Sequence, residues 1–332
     1  MEPLRFGCLG AARIAPNALV KPAKASADAE VRAVAARDPA RAAVFAERHG
    51  IPVVHQTYEA LLADEEVDAV YNPSPNGLHA EWTLKALDAG KHVLCEKPFT
   101  ANAPEAERVA AAAEGSGRVV MEAFHWRYHP LAAQALEIVK SGELGEVRRV
   151  EAALCFPLFR RDDIRWQLDL AGGSLMDAGC YPVHIVRTLA GQEPMVTHAT
   201  ARLRSPGVDR FVQAELSFGA GMTGRVTTSM WSSSILRSSA AVIGERGRMH
   251  IVNPIGPQVF NLVTVRSSKG TRRQRVRGGS TYSYQLAAFV AAVRGGVPPL
   301  TPPADSVANM RVIDDIYRAA GLVPRRGTTD SQ

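Results

Sequence analysis

The sequence offers a lysine in a position suited to chemistry, in the motif Glu96-Lys97-Pro98 after the apolar run His92–Cys95. Such a run predicts a buried strand. Proline predicts its end, because proline has no N–H to donate to a sheet and disfavours helical backbone in the preceding residue. Open α/β sheets bind ligands at the carboxyl ends of their strands. Lys97 there could pair with a carboxylate, contact a phosphate or polarise a hydroxyl undergoing oxidation, and a solvated lysine after an edge strand is the alternative.

A second group of polar residues lies in the glycine-rich segment 172–184. If this segment is helical, Asp177, Tyr181 and His184 share one face, because they are four and three residues apart. Pro182 must either kink such a helix or begin a new first turn, so the shared face depends on that choice. Polar residues facing solvent are the alternative interpretation for Asp177 and His184.

The elements that would position these groups begin with the strand Leu4–Leu9 and the turn that follows it, 10–15. In a dinucleotide-binding fold, glycine at this turn lets backbone N–H groups approach a pyrophosphate at a helix N-terminus. Gly10 fits the first position of the pattern G-x-G-x-x-G/A, whereas Ala12 replaces its second glycine. We predict that a dinucleotide contacts Gly10, Ala12, Arg13 and Ile14.

A second predicted strand, Val31–Ala36, ends in Arg37-Asp38-Pro39. At this strand end an acidic residue binds the adenosine ribose 2′-hydroxyl, whereas an arginine accepts a 2′-phosphate. Asp38 is explained as the N-cap of a helix that has Pro39 at its first position. Arg37 is therefore the ribose-side residue, and it favours NADP over NAD as the cofactor.

The loop 72–79 follows another predicted strand end. Its location fits a wall of the nicotinamide pocket, although turn chemistry alone explains asparagines and prolines in a loop. The residues predicted to contact the cofactor here are Asn72, Pro73, Asn76 and His79.

The segment 124–130 interrupts the regular pattern with aromatic and hydrogen-bonding side chains. A domain boundary is expected here, and ligand pockets often form between domains. We predict that Trp126 and Arg127 contact the substrate, with aromatic packing at a domain junction as the alternative.

Strands and helices alternate up to about residue 124, with helices that stop at Gly50 and Gly90. This alternation predicts a parallel sheet wound by right-handed crossovers. From Val147 onward, apolar strands and glycine-containing short turns predict an antiparallel sheet, with helices expected only near 176–190, 282–294 and 304–320. Because so few helices cover a broad sheet, we expect a partner subunit or the first domain to close one face, as in a homodimer or a dimer of dimers.

Composition limits the classes of protein. The chain has 332 residues, of which 46% are hydrophobic and 22% charged, and no apolar run approaches the ~18 residues of a membrane span. Its 4 cysteines are scattered, which favours buried thiols over metal ligands or disulfides. The formal charge is +6, but Arg273, Arg275 and Arg277 alternate with other residues as on the solvent face of a strand. We expect a cytoplasmic protein with a small-molecule substrate and with no metal, membrane or nucleic-acid partner.

Four motifs together resemble the glucose-fructose oxidoreductase, inositol dehydrogenase and rhizopine-catabolism (Gfo/Idh/MocA) family: the 10–15 turn, the 72–79 loop, Glu96-Lys97-Pro98 and the 172–184 segment. The resemblance covers nearly the whole chain. It implies an α/β protein with a Rossmann (doubly wound parallel sheet) domain at 1–124 and a substrate-binding and oligomerisation domain at 125–332, which is α+β with a large, mostly antiparallel open sheet.

The family resemblance also implies the chemistry. Many members carry Asp-x-Gly-x-His-x-x-Asp, and here Tyr181 replaces the histidine, as in the branch similar to dimeric dihydrodiol dehydrogenase, bacterial xylose dehydrogenase, glucose-fructose oxidoreductase and sugar 3-ketoreductases. His184 replaces the second aspartate, which is a departure from the family pattern. A tyrosine with a pKa of ~10 is a poor base until a nearby cation lowers that pKa. We therefore assign Tyr181 as general acid/base, Lys97 as the cation that lowers its pKa and donates to the substrate oxygen, and Asp177 as support. Glu96 either contacts the cofactor or holds the Lys97 loop.

The expected reaction is NADP-dependent hydride transfer to or from a CH–OH or carbonyl group of a pyranose or cyclic diol, with Trp166, Tyr181 and His184 beside the substrate. One alternative is a sugar 3-ketoreductase of deoxysugar biosynthesis. A second is a non-catalytic dinucleotide-binding regulator, against which the presence of both Lys97 and Tyr181 argues.

Overall fold

The computed structural model describes residues 2–232 and 236–328. Six parallel strands form the first sheet: β1 (Leu4–Leu9), β2 (Ala29–Ala35), β3 (Val53–His55), β4 (Ala69–Asn72), β5 (His92–Cys95) and β6 (Val120–Glu122). They are ordered β3-β2-β1-β4-β5-β6, which confirms the predicted doubly wound domain. From β1 the chain continues to β2 toward one edge of the sheet, and from β4 it continues to β5 toward the other edge. The carboxyl ends of β1 and β4 therefore border the crevice in which such sheets bind ligands.

Helices of the first domain begin and end at the predicted signals. Asp38 accepts a hydrogen bond from the Ala40 backbone N–H at 3.0 Å, which confirms it as an N-cap, and Gly50 ends the same helix with φ 65°. The elements are a π-helical turn (Pro16–Val20), α1 (Lys21–Lys24), α2 (Pro39–His49), α3 (Tyr58–Leu62), α4 (His79–Asp88) and α5 (Ala103–Ser116).

Eight strands form the second sheet: β7 (Val147–Cys155), β8 (Met195–Ser205), β9 (Val208–Ser217), β10 (Thr223–Ser229), β11 (Arg237–Gly244), β12 (Gly247–Val252), β13 (Leu262–Ser267) and β14 (Gly270–Gln274). Their order is β14-β13-β12-β11-β7-β10-β9-β8, and only the pair of β7 and β10 is parallel. The mostly antiparallel sheet is therefore confirmed. The prediction that Arg273, Arg275 and Arg277 lie on one strand was wrong for the last two, because β14 ends at Gln274. Arg275 and Arg277 are nevertheless exposed, as predicted.

After the first sheet, the described part of the chain contains the α-helices α6 (Pro130–Lys140), α7 (Cys180–Ala190), α8 (Thr281–Gly295) and α9 (Pro303–Ala319). Helix α7 packs on the second sheet, but α8 returns to the first domain, where the Phe289 ring lies 5.5 Å from that of Phe6. Helix α9 packs against both α5 and α7. The two domains thus share a helical layer, which fixes the position of the segments between them.

Within the described ranges, no helix is long and apolar enough to cross a membrane. All four cysteines are buried and free of disulfide bonds.

Candidate active site

The Lys97 side chain crosses from the end of β5 to the second domain. Its ammonium donates to the Asp177 backbone carbonyl at 3.0 Å and lies 3.5 Å from Asp177 Oδ1. Burial disfavours this ammonium and is the largest single effect on its pKa, but Asp177, with smaller effects of Cys180 and Glu96, raises the pKa of Lys97 above its ordinary value. Lys97 is therefore a charged group, held in place at the carboxyl edge of the nucleotide-binding sheet.

Asp177 lies between two cations. Besides Lys97, Arg165 places its Nε 2.8 Å from Asp177 Oδ2. Burial works to raise the pKa of Asp177, yet Lys97 and Arg165 together lower it below its usual value. Arg165 is itself held by Asp163, which accepts from its backbone N–H at 3.1 Å and from Nη1 at 3.0 Å. Sequence reasoning missed Arg165, because it lies in a single 3-10 helical turn, Ile164–Trp166, and meets Asp177 only in the folded chain.

Tyr181 is buried beside Lys97, but its hydroxyl has a different partner. The Lys97 ammonium lies 5.2 Å from the centroid of the Tyr181 ring, whereas the hydroxyl oxygen is 3.0 Å from His125 Nε2. Burial raises the pKa of Tyr181 well above its ordinary value. The prediction that Lys97 lowers this pKa was wrong, because the charge of Lys97 is engaged by Asp177 and the surroundings disfavour a phenolate. Tyr181 is consequently a protonated hydroxyl at neutral pH.

The local backbone around Pro182 explains how Asp177 and Tyr181 reach the same place. A π-helical turn, Leu175–Gly179, precedes α7, and Pro182 is the third residue of that helix. Proline is tolerated in a first turn, where its missing N–H would have no partner within the helix. Of the two options that the sequence left open, the structure therefore shows a new first turn after a widened one.

His184 and Trp126 are joined in a buried hydrogen-bond network. Trp126 Nε1 donates to His184 Nδ1 at 3.1 Å, and His184 Nε2 lies 2.9 Å from Asp305 Oδ2. The His184 ring stacks on Phe124 at 4.1 Å between centroids. Burial lowers the pKa of His184, although Asp305 opposes this. Both ring nitrogens of His184 are bound to protein atoms, and contact of His184 and Trp126 with substrate stays a prediction.

Two other predicted substrate residues flank this network. Arg127 is half-buried, and burial lowers its pKa. Trp166 packs with Ala178 of the π-helical turn and donates from Nε1 to the Arg160 carbonyl at 3.1 Å. Arg204 lies over the Trp166 ring, 4.5 Å from its centroid. Contact of Arg127 and Trp166 with substrate stays a prediction.

The cofactor side of the site is built around the turn at Gly10. Gly10 has φ 128°, a backbone conformation that side chains rarely adopt, and a Cβ there would lie 3.5 Å from the Tyr58 hydroxyl. Burial raises the pKa of Tyr58, while the charges of Arg37 and Arg41 oppose the rise, which places both cations near this hydroxyl. Arg41 also reaches the Ala11 carbonyl at 3.5 Å.

A cleft of about 640 Å³ opens beside the same turn, with cationic side chains on an otherwise largely apolar lining. Arg37, Arg41 and Arg13 have no carboxylate partner within salt-bridge distance in the part of the chain that the structure describes. A glycine turn with uncompensated cations fits a phosphorylated dinucleotide. Tyr58 and Arg41 were missed by sequence reasoning, although Arg41 lies only four residues after Arg37, in the first turn of α2. The cations lining the cleft are Arg13, Lys21, Arg41 and Arg48.

Two of the residues that were predicted to contact the cofactor, Asn72 and His79, form hydrogen bonds that hold the loop 72–79 in place. Asn72 donates from Nδ2 to the His79 carbonyl at 3.1 Å and to Thr83 Oγ1 at 3.2 Å. The two ring nitrogens of His79 each lie 2.7 Å from a carbonyl oxygen, of Pro98 and of Ser74. Both side chains are buried and bound to protein atoms, which holds the loop in place, and cofactor contact by Asn72 and His79 stays a prediction.

The remaining residues near this loop connect it to the Lys97 segment and to the chain just before the 172–184 segment. Tyr71 donates to Glu96 Oε1 at 2.8 Å, and the Lys97 backbone N–H donates to Oε2 at 3.3 Å. Burial raises the pKa of Glu96. Glu96 therefore holds the Lys97 loop, one of the two roles left open. Asn76 Nδ2 donates to the Ala171 carbonyl at 3.3 Å, and Pro73 is half-buried, so cofactor contact by this pair stays a prediction.

A buried ion pair fixes the start of the π-helical turn. Asp209 accepts from the Leu175 backbone N–H at 2.7 Å, and its Oδ1 lies 2.5 Å from Arg325 Nη2. Arg325 Nε donates to the Gly172 carbonyl at 2.7 Å. A Cβ at Gly173 would lie 2.2 Å from Asp209 Oδ1, so this close approach requires glycine. The pair was not predicted, since Arg325 is far from Asp209 in sequence.

Within the described residues, no group of three or more His, Cys, Asp or Glu side chains is arranged to hold a metal ion.

These features define a dinucleotide-binding oxidoreductase whose reactive side chains meet at the junction of a Rossmann domain and a second, largely antiparallel domain. The chain belongs to the Gfo/Idh/MocA oxidoreductase family. Residues 4–124 match the family described as "Oxidoreductase family, NAD-binding Rossmann fold", and residues 132–250 match "GFO/IDH/MocA C-terminal domain". The resemblance inferred from the motifs is thus confirmed.

Similar proteins of known name cover nearly the same length. The chain is 39% identical to D-xylose 1-dehydrogenase (NADP(+)) 2 of Haloferax volcanii over 96% of this chain and 97% of that protein. It is 32% identical to trans-1,2-dihydrobenzene-1,2-diol dehydrogenase of Mus musculus over 96% and 97%. Among solved structures, a 3-ketoreductase from Actinomadura kijaniata in complex with NADP and TDP-benzene matches with a TM-score of 0.90 at 32% identity, over 96% of this chain and 98% of that one.

Proposed function

We propose that this protein is an NADP-dependent oxidoreductase that transfers a hydride between nicotinamide and a CH–OH or carbonyl group of a pyranose sugar or cyclic diol. The observation that carries the proposal is the meeting of Lys97, Asp177 and Tyr181 at the carboxyl edge of the nucleotide-binding sheet. The names of the Haloferax and mouse relatives support the substrate class.

The bound cofactor supplies or accepts the hydride. In the reducing direction Tyr181 donates its hydroxyl proton to the substrate oxygen, and in the oxidising direction it takes that proton back. Lys97 donates a hydrogen bond to the same oxygen, and Asp177 holds the Lys97 ammonium in place. Because Tyr181 is 6% exposed, the developing charge is stabilised by fixed groups in a site that excludes most water.

A sugar 3-ketoreductase acting on a nucleotide-linked sugar is a second candidate, favoured by the TM-score of 0.90 to the Actinomadura enzyme. The two are separated by assaying free aldoses, inositols, trans-dihydrodiols and nucleotide-linked ketosugars at the reduced-nicotinamide absorbance, with NADP and NAD in parallel. Turnover of free sugars or diols supports the first function, and turnover of nucleotide-linked sugars alone supports the second. Tight NADP binding without turnover of any of these would contradict both.

Arg37→Ala is expected to weaken NADP binding by ~1.5–3 kcal/mol, with little effect on NAD. The physical reason is the loss of a charged hydrogen bond to the 2′-phosphate, which NAD lacks. Isothermal titration with both cofactors measures the difference. Arg311→Ala, which removes an exposed arginine of α9 that pairs with Glu107 of α5, is the matched control. Equal losses for both cofactors in Arg37→Ala would rule out the 2′-phosphate assignment.

We further propose a homodimer, or a dimer of dimers, joined through the outer face of the second sheet. Arg149 and Glu151 alternate along β7 with Val150 and Ala152, which are buried in the same core as α7. The two charged residues therefore lie on the opposite face. Glu151 accepts from Arg149 Nε at 2.6 Å, so the side chains on this face are already ordered by ion pairs. An ordered, uncovered sheet face suits a self-complementary interface.

Light scattering at micromolar concentration is expected to give at least the dimer mass. Glu151→Arg places like charges against Arg149 and is expected to shift the mass toward the monomer. Glu114→Arg makes the same charge change on the exposed side of α5 and serves as the control. A monomer mass for the unaltered protein would contradict the proposed assembly.

A further inference from the structure

His125 approaches the Tyr181 hydroxyl from the short 3-10 helix His125–Tyr128, which follows β6 at the domain boundary. Its Nε2 lies 3.0 Å from the Tyr181 oxygen, and the two rings meet edge to face with centroids 5.7 Å apart. On its other side the His125 ring lies 4.3 Å from that of Tyr282. With 5% of its surface exposed, His125 is fixed by packing and has little contact with water.

The other ring nitrogen of His125 decides which atom carries the hydrogen. Nδ1 is buried and has no hydrogen-bond partner in the described ranges. A neutral imidazole has one N–H and one bare nitrogen, and a buried N–H without an acceptor is rarer than a buried acceptor without a donor. Burial, with a smaller effect of Lys97, lowers the pKa of His125 to about 3, so the ring is neutral. The hydrogen therefore belongs on Nε2, which donates to the Tyr181 oxygen.

Because His125 donates to the Tyr181 oxygen in this arrangement, it cannot accept the hydroxyl hydrogen of Tyr181. That hydrogen is therefore available to the substrate. The Lys97 ammonium cannot fill the same role, because it is bound to the Asp177 carbonyl at 3.0 Å and lies over the ring face. An N–H that points at the Tyr181 oxygen is also in place to stabilise the phenolate that forms when the proton leaves.

We propose that His125 is a positioning residue for proton transfer: its Nε2–H donates to the Tyr181 oxygen, directs the hydroxyl hydrogen toward the substrate and stabilises the resulting phenolate. The inference rests on the proposed role of Tyr181. In carbonyl reduction the hydride reaches the carbon, the C=O π pair takes the Tyr181 proton, and the phenolate keeps the electron pair of its broken O–H bond. His125 changes neither its protonation nor its charge in this step.

The kinetic test compares a variant that loses the donor with one that retains it. His125→Phe is expected to lower kcat about 10-fold to 100-fold with little change in KM, because a hydrogen bond to a charged oxygen is lost. His125→Gln, whose amide N–H replaces the donor, is expected to recover most of that loss. In the oxidising direction, His125→Phe should move the rise of kcat to higher pH, since the phenolate forms less readily. His129→Gln is the control, because His129 is buried in the same segment but caps Leu131.

Nitrogen-15 NMR of the unaltered, cofactor-free protein tests the tautomer without any assay of activity. The expected result is a protonated Nε2 and a bare Nδ1 on His125 between about pH 6 and pH 9. A hydrogen on Nδ1, or an imidazolium, would overturn the proposal, and this measurement decides the matter even if His125→Phe does not fold. Full activity of Tyr181→Phe would instead remove the proposed catalytic role of Tyr181. Loss of activity in Tyr181→Phe, with unaltered kcat and pH dependence in His125→Phe, would overturn the His125 role alone.

Discussion

Tyr181→Phe is expected to lower kcat by roughly 10²–10⁴ while leaving cofactor affinity unchanged. The substitution removes one oxygen from a ring that is packed against Phe124 at 5.4 Å, so the packing is retained and the proton donor is lost. Steady-state kinetics on the substrate identified by the panel measure the loss, and fluorescence titration with NADP checks the cofactor site. Near-normal kcat with normal NADP binding would show that Tyr181 is a packing residue. His184 could not then supply the acid, since both of its ring nitrogens are occupied.

The pH dependence follows from the direction of the Tyr181 shift. Burial raises the pKa of Tyr181, so the hydroxyl stays protonated as the pH rises through neutrality. We therefore expect kcat for carbonyl reduction to remain level between about pH 6 and pH 9. A fall across that range, absent from Tyr181→Phe, would indicate a Tyr181 pKa that is lowered and not raised.

Lys97→Met is expected to cause a loss of kcat comparable with that of Tyr181→Phe. The reason is that it removes the hydrogen bond to the substrate oxygen and leaves Asp177 with Arg165 alone. The double variant should be little worse than either single one, because residues that act as a unit are not additive. Because Lys97 does not lower the pKa of Tyr181, its loss is not expected to shift the remaining activity to higher pH.

Arg325→Met is expected to lower the free energy of unfolding by ~3–5 kcal/mol. Arg325 and Asp209 have side chains that are 2% and 0% exposed, so the substitution leaves a buried carboxylate without its cation. Asp209 also holds the start of the π-helical turn through Leu175 at 2.7 Å, and kcat should therefore fall as well. Urea unfolding measures the loss of stability.

A nearby arginine supplies the control for this prediction. Arg318 is 58% exposed, pairs with the exposed Asp315 at 2.8 Å and lies 3.9 Å from Oδ2 of the buried Asp314, at the limit of ion-pair distance. Ion pairs of such an exposed arginine contribute ~0–1 kcal/mol. Arg318→Met should therefore leave the unfolding midpoint nearly unchanged. If Arg325→Met were as stable as Arg318→Met, the buried pair would not be what fixes the turn.

Local patterns in the sequence determined most of the fold and the identity of the central residues. The spacing of apolar residues, together with glycine, proline and capping residues, predicted the alternating strands and helices of the first domain. Such signals are local, because strand ends and helix caps depend on neighbouring residues. Asp38 was assigned to the cap of α2 on this basis, and that assignment left Arg37 for the ribose. Four motifs together, among them those that contain Lys97 and Tyr181, predicted the family, which the matches confirm.

The tertiary structure alone decided which polar atoms remain available for chemistry. Hydrogen-bond partners such as Trp126 with His184, or Arg325 with Asp209, are far apart in sequence, and no spacing rule links them. The pKa of Tyr181 likewise depends on burial and on where Lys97 directs its charge, which sequence proximity to a motif does not reveal. The sequence therefore determined which residues gather at the sheet edge, whereas the three-dimensional packing determined their partners and protonation, since both depend on long-range contacts and desolvation.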